Sequence, residues 1–165
     1  MNTKRLRFIS AFVNVMLICT VIALRYSGVL TFQIGNAIPV VVLPIIIAIA
    51  LFSSNTVSLL YALLAGILMD SMSADSSCFN TLFLVVTATS CNLLISRLLN
   101  RNIKAAVYLS AVISLIYFFL KYLIFFAFRS ISVNYDYFML YLIPSVLYTA
   151  IFIIPFYFLE KKLVS

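Results

Sequence analysis

The chain has 165 residues, of which 65% are hydrophobic and only 9% are charged, whereas a soluble domain is about 45–50% apolar. This excess excludes a soluble globular fold, because an aqueous domain of this length could not bury it. The net charge of +7 does not indicate nucleic-acid binding. The basic residues stand in small groups at the ends of apolar runs and form no stripe along which phosphates could bind.

The apolar residues fall into six runs separated by polar or turn residues. A helix that crosses the hydrocarbon core of a bilayer needs about 20 predominantly apolar residues. We therefore predict an all-α bundle of six transmembrane helices in one domain, residues 1–165, and expect the second helix to be kinked by Pro39 and Pro44. The predicted helices are residues 8–24, 37–52, 57–72, 78–99, 105–128 and 137–159.

Lysine and arginine are unevenly distributed between alternate loops of this bundle. One side carries Lys4, Arg5, Arg7, Arg97, Arg101, Lys104, Lys161 and Lys162, and the other carries only Arg25 and Arg129. Cytoplasmic loops hold the excess of basic residues in membrane proteins. Both termini are therefore predicted to be cytoplasmic.

The third helix carries a face of small residues that ends in an acid. Ser58, Ala62, Gly66 and Asp70 recur every four residues, which places them on one side of a helix. Small residues allow another helix to approach closely, and a carboxylate is too costly in lipid to point outward. We predict a packing groove, and a candidate partner interface, at this face.

The fifth helix carries a second polar face, made by Ser110, Ser114, Tyr117 and Lys121. This face is predicted to turn inward. Lys121 lies some seven residues from the outer end of the helix, so its ammonium group could extend to the interface. It could equally pair with Asp70, since each charge lowers the cost of burying the other.

Polar residues in the fourth and first helices are suited to hydrogen bonds between helices. Thr81, Ala88, Asn92 and Ser96 lie near one face of the fourth helix, and such bonds contribute around 0.6 kcal/mol each. Asn14 in the first helix needs a partner if its amide is buried. We interpret these residues as packing contacts rather than as a ligand site.

The sequence offers little support for catalysis or for a metal site. It contains no histidine, and its four acids are Asp70, Asp75, Asp136 and Glu160. No serine or cysteine has a neighbouring base that could activate it, and the three glycines form no phosphate-binding loop. We therefore predict a protein that is not an enzyme, with no catalytic residues, no metal and no cofactor.

The third helix and the turn that follows it carry a distinctive pattern. In residues 61–71, YALLAGILMDS, an apolar helix with Gly66 ends at Asp70 before a polar turn. Residues 78–82, CFNTL, then open a long helix that ends in a basic loop. This stretch resembles the signature of the MreD family of rod-shape-determining proteins. The family usually has glycine where this chain has Cys78.

The resemblance implies a non-enzymatic scaffold of the bacterial cell-wall elongation complex in the plasma membrane. It implies binding to MreC and, through it, to MreB, RodA and a class B penicillin-binding protein. The family is also similar to the six-helix substrate-binding subunits of energy-coupling-factor vitamin transporters. The alternatives are therefore a small-solute transporter subunit, which would hold a ligand in an outer pocket, and a membrane enzyme, which would need a constellation not found here.

Overall fold

The computed structural model describes residues 3–27, 39–73, 78–97, 102–129 and 142–164, and all regular structure in these residues is helical. The all-α prediction is confirmed. Seven helical segments are found in the described part of the chain. They are α1 (Thr3–Tyr26), α2 (Val42–Phe52), α3 (Asn55–Met72), α4 (Phe79–Arg97), α5 (Ile103–Arg129), α6 (Ile143–Ile151) and α7 (Ile153–Val164).

The apolar helices differ in length. Three are long and apolar enough to cross a membrane: Asn55–Met72, Ile103–Ile124 and Ile143–Leu163, the last of which comprises α6 and α7. Three shorter helices are also apolar, namely Ser10–Tyr26, Val42–Phe52 and Phe79–Ile95. The described residues thus contain three helices that are long and apolar enough to span a bilayer, and the count of six spans stays a prediction.

The second helix is shorter than predicted. It begins at Val42, and residues 39–41 precede it as non-helical chain; the predicted start at residue 37 lies outside the described residues. Pro44 therefore occupies the first turn of α2. In that turn a missing N–H breaks no helical hydrogen bond, so this proline lies at the beginning of the helix and not at an internal kink.

The last predicted helix is interrupted, and Pro155 explains where. Proline at 155 cannot donate to the carbonyl of Ile151, four residues earlier, and its ring collides with that carbonyl. Accordingly α6 ends at Ile151, Phe152 forms a turn, and α7 begins at Ile153. The predicted start of this helix at residue 137 lies outside the described residues.

The short helix α2 forms the centre of the bundle. All residues from Val42 to Leu51 are buried, and α2 packs against every other helix of the described structure. Its side chains contribute to both apolar clusters of the core. A helix that is hydrophobic on all sides is one that neighbours surround, so α2 fills the interior.

Hydrogen bonds between helices show which parts of the helices lie together. The Tyr26 hydroxyl donates to the Met69 carbonyl over 3.3 Å, which brings the ends of α1 and α3 side by side. The Asn14 amide is hydrogen bonded to the Glu160 carboxylate, which brings α1 beside the last turns of α7. Both residues are 3% exposed, so Asn14 has the partner that its burial requires.

A buried hydrogen bond fixes the start of α2 against α6. The Val40 N–H, which belongs to the non-helical chain before α2, donates to Thr149 Oγ over 3.2 Å. Val40 is 1% exposed and Thr149 is fully buried. An unsatisfied N–H at such a position costs free energy comparable to a lost hydrogen bond.

We expect Thr149→Val to destabilise the protein by about 1–3 kcal/mol, because the substitution keeps the shape of the side chain but leaves the Val40 N–H without its acceptor. Thr149→Ser retains the hydroxyl and is the matched control. The thermal unfolding midpoint in detergent measures the effect. Equal midpoints for the valine and serine variants would contradict the role of this bond.

Candidate functional site

The carboxylate of Asp70 joins the last turn of α3 to the first turn of α4. Its Oδ1 accepts the Asn80 N–H over 3.2 Å and the Asn80 side-chain amide over 2.8 Å. Its Oδ2 accepts the Thr81 N–H over 2.9 Å and the Thr81 hydroxyl over 2.5 Å. Four donors from two consecutive residues therefore converge on one carboxylate.

This arrangement caps α4 from another helix. The first backbone N–H groups of a helix have no acceptor within it, and the residue before the first turn usually supplies one from its own side chain. Here that residue is Cys78, whose carbonyl accepts the Leu82 N–H over 3.1 Å but whose side chain has no oxygen. Asp70 supplies the acceptor instead, and its negative charge lies at the positive end of the α4 dipole.

The network continues from α4 to α5. The Tyr117 hydroxyl donates to Asn80 Oδ1 over 2.8 Å, and this bond is buried. Tyr117 is only 1% exposed, and its ring contacts the rings of Phe79, Phe83 and Phe118. Asn80 thus donates to α3 and accepts from α5, so one amide links three helices. We call Asp70, Asn80, Thr81 and Tyr117 the capping network.

Lys121 adjoins this network. Its ammonium lies over the Tyr117 ring, 5.8 Å from the centroid, and its side chain is exposed. Asn80 and Thr81 donate hydrogen bonds to Asp70, and Asn80 also accepts one from Tyr117. Lys121 and Asp70 are therefore connected through Tyr117 and Asn80, and the choice between extension to the interface and pairing with Asp70 stays a prediction.

The remainder of the small-residue face of α3 packs against α4, and these two helices form the most extensive pair in the bundle. A Cβ atom at Gly66 would overlap the backbone of Thr81 at its Cα atom. At the other end of the face, the Asn92 amide donates to Ser58 Oγ over 2.7 Å. Ser58 and Ala62 are fully buried.

The predicted groove on α3 is therefore occupied by α4 of the same chain. Ser58, Ala62 and Gly66 pack within the molecule, and a helix of another subunit would have to dock on a different surface. Thr81, Ala88 and Asn92 of α4 do face α3 or the core, as their spacing indicated. Ser96, the fourth residue of that set, has a side chain outside the described residues.

The inward face predicted for α5 is largely confirmed. Ser110 and Ser114 are fully buried and Tyr117 nearly so, whereas Lys121 is exposed.

Sequence reasoning missed the roles of Asn80, Tyr117 and Glu160. The available signal for Asn80 was its place one residue after the start of a helix with no capping side chain. Glu160 is 3% exposed, and its Oε2 has no hydrogen-bond partner among the described residues.

The chemistry of the capping network is structural. An ionised carboxylate offers about four lone-pair positions, and four donors occupy those of Asp70. A general base or metal ligand needs a free lone pair directed at its substrate or ion. Asp70 therefore acts as an acceptor that holds α3 and α4 together.

Comparison with protein-family models, curated proteins and solved structures finds no match to this chain.

We expect Gly66→Ala to lower the stability of the protein by about 1–3 kcal/mol, because the added methyl group overlaps the Thr81 backbone. In an unconstrained helix the same change is favourable by roughly 0.5–1 kcal/mol, so the close contact reverses the sign. Ser71→Ala, at an exposed position of the same helix, is the control. Thermal unfolding in detergent gives the comparison, and a stabilised Gly66→Ala variant would contradict the close packing.

A double-mutant cycle tests whether the capping network acts as a unit. Asp70→Asn replaces one of the two accepting oxygens by an NH₂ group, which is itself a donor. Tyr117→Phe removes only the hydroxyl. Each substitution should cost about 1–3 kcal/mol. Because both act through Asn80, we expect their effects to differ from additivity by more than about 0.5 kcal/mol. Tyr117→Phe combined with Ser58→Ala, at the far end of the α3–α4 contact, should be additive. Additivity in both pairs would rule out coupling through Asn80.

Proposed function

We propose that this chain is a non-enzymatic membrane scaffold of the MreD family, which binds MreC in the bacterial cell-wall elongation complex and so helps to maintain rod shape. In this proposal it crosses the plasma membrane six times with both termini in the cytoplasm. The three long and three shorter apolar helices support multiple spans, and the distribution of lysine and arginine supports the orientation.

The observation that carries the proposal is that residues of the stretch resembling the family make the contact between α3 and α4. Gly66 and Asp70, two residues of the stretch that resembles the family, hold α3 against α4 by a close backbone contact and four hydrogen bonds. This contact holds two helices in a fixed arrangement and occupies the lone pairs of Asp70 with structural hydrogen bonds. A fixed helix pair supports a scaffold role, because it presents a surface of constant shape to a partner.

The filled interior favours a scaffold over a solute carrier. A solute-binding subunit needs a pocket with a few convergent polar groups. Between the described helices, the centre of the bundle is instead occupied by the apolar side chains of α2. Binding to other proteins would then take place on the outer faces of the bundle.

The outer faces of α3 and α4 offer the best defined surface for a partner helix. Leu60, Leu63 and Ile67 lie on one face of α3 and are 63%, 41% and 59% exposed. Leu82 and Val86 are 67% and 60% exposed on α4. Because the capping network holds α3 and α4 together, this pair presents a surface of fixed shape, and a rigid surface loses less entropy on binding. We place the MreC transmembrane helix here.

Affinity purification of the tagged chain from detergent-solubilised native membranes, followed by mass spectrometry, tests the proposal. MreC and cell-wall synthases should be recovered. Recovery of an ATPase pair with a coupling subunit would instead make the chain a component of an energy-coupling-factor transporter. In that case a small solute should also raise its thermal unfolding midpoint.

Photocrosslinking then tests the surface. A photoreactive amino acid at Leu60, Ile67 or Val86 should yield an adduct with MreC in cells. The same residue at Leu123 of α5, which is 44% exposed, is the matched control and should not. Adducts from Leu123 alone would indicate that the interface lies on α5. The absence of MreC adducts at all of these positions would contradict direct binding.

A further inference from the structure

A cleft opens between the first turn of α5 and the last turns of α7. It has a volume of about 410 Å³ and is lined by Asn102, Ile103, Lys104, Tyr157, Phe158 and Lys161. Small-molecule sites have volumes of roughly 300–1,000 Å³. This cleft is therefore large enough for a polar headgroup, and two of its six residues are cations.

Three sources of positive potential converge on the cleft. Lys104 and Lys161 are both exposed and belong to different helices. The third source is the start of α5, whose first N–H groups have no acceptor within the helix and carry the positive end of its dipole. A lysine in the first turn of a helix is unfavourable there, so an anion in the cleft would offset both the charge and the dipole.

Apolar surface continues from each lysine toward the middle of the bundle. On α7, Ile154 and Phe158 precede Lys161 on one face and are 39% and 56% exposed. On α5, Tyr108 and Val112 follow Lys104 at four-residue spacing and are 69% and 40% exposed. A ligand that matches both helices is therefore anionic at one end and apolar along its length. A free phosphate ion would use only the lysines.

We propose that this cleft binds the headgroup of an anionic phospholipid, with Lys104 and Lys161 contacting the phosphate and the acyl chains lying along the exposed apolar faces of α5 and α7. The cleft lies at the end of the bundle that the distribution of lysine and arginine along the sequence assigns to the cytoplasm, and cytoplasmic leaflets carry anionic lipids. The inference rests on this proposed orientation and does not depend on binding to MreC. Binding would hold α5 and α7 together, because each helix contributes one of the two cations.

The test uses the purified full-length chain and compares phosphatidylglycerol with phosphatidylcholine of the same acyl chains, with glycerol phosphate as the soluble headgroup. Native mass spectrometry counts retained lipids, and the thermal unfolding midpoint reports stabilisation. Phosphatidylglycerol should be retained and should raise the midpoint, and the other two compounds should do neither. Equal retention of both lipids would overturn the proposal, and binding of glycerol phosphate as strong as that of the lipid would reassign the cleft to a free anion.

Single substitutions locate the site. Lys104→Gln and Lys161→Gln should each weaken phosphatidylglycerol binding about fivefold, the effect of one cation near an anionic headgroup. Lys162→Gln is the matched control, because Lys162 is exposed beside Lys161 but does not line the cleft. Lys104→Arg keeps the charge and should keep the affinity. An equal loss in all three glutamine variants would show diffuse attraction to the basic end and would overturn a defined site.

Discussion

The structure depends on one carboxylate that accepts hydrogen bonds from the start of a neighbouring helix. Backbone N–H groups at the start of a helix can bond to water in a soluble protein, but in a bilayer each unsatisfied group costs several kcal/mol. α4 begins after Cys78, which has no oxygen in its side chain, and Asp70 of α3 supplies the missing acceptor. An acid at the end of a helix is disfavoured by that helix's own dipole. The N–H groups at the start of α4 therefore stabilise the Asp70 carboxylate, and the carboxylate in turn caps α4.

Other features of the bundle serve this contact. Gly66 lets the α4 backbone approach at Thr81, which puts the Thr81 N–H and hydroxyl within reach of Asp70. Asn80 passes the connection on to Tyr117 of α5. A change at any of these positions would disturb the others, since hydrogen-bond networks in low-dielectric surroundings are cooperative. The rigid α3–α4 pair that results is the surface to which we assign partner binding.

The two ends of the bundle are built differently. At the end near Asp70, neutral donors surround one acid and aromatic rings surround Tyr117. The opposite end, at Lys104 and Lys161, has an open cationic cleft. Between them, α2 fills the interior with aliphatic side chains, so within the described residues the polar groups available to other molecules lie at the ends and not along a central path. This division suits a protein that binds other proteins along its sides and lipid headgroups at its basic end.

The sequence by itself determined the class of structure and the orientation of its helical faces. Apolar runs predict helices, and a spacing of four residues places Ser58, Ala62, Gly66 and Asp70 together on α3, and Ser110, Ser114 and Tyr117 inward on α5. It could not say what each face meets, because periodicity defines a direction around a helix axis and contains no information about the neighbour. Only the tertiary structure shows that Asp70 caps the start of α4 and that α4 packs into the α3 groove. The prolines show the same limit: Pro44 and Pro155 both lie in apolar runs, and whether a proline begins a helix or interrupts one depends on where the chain enters the bundle.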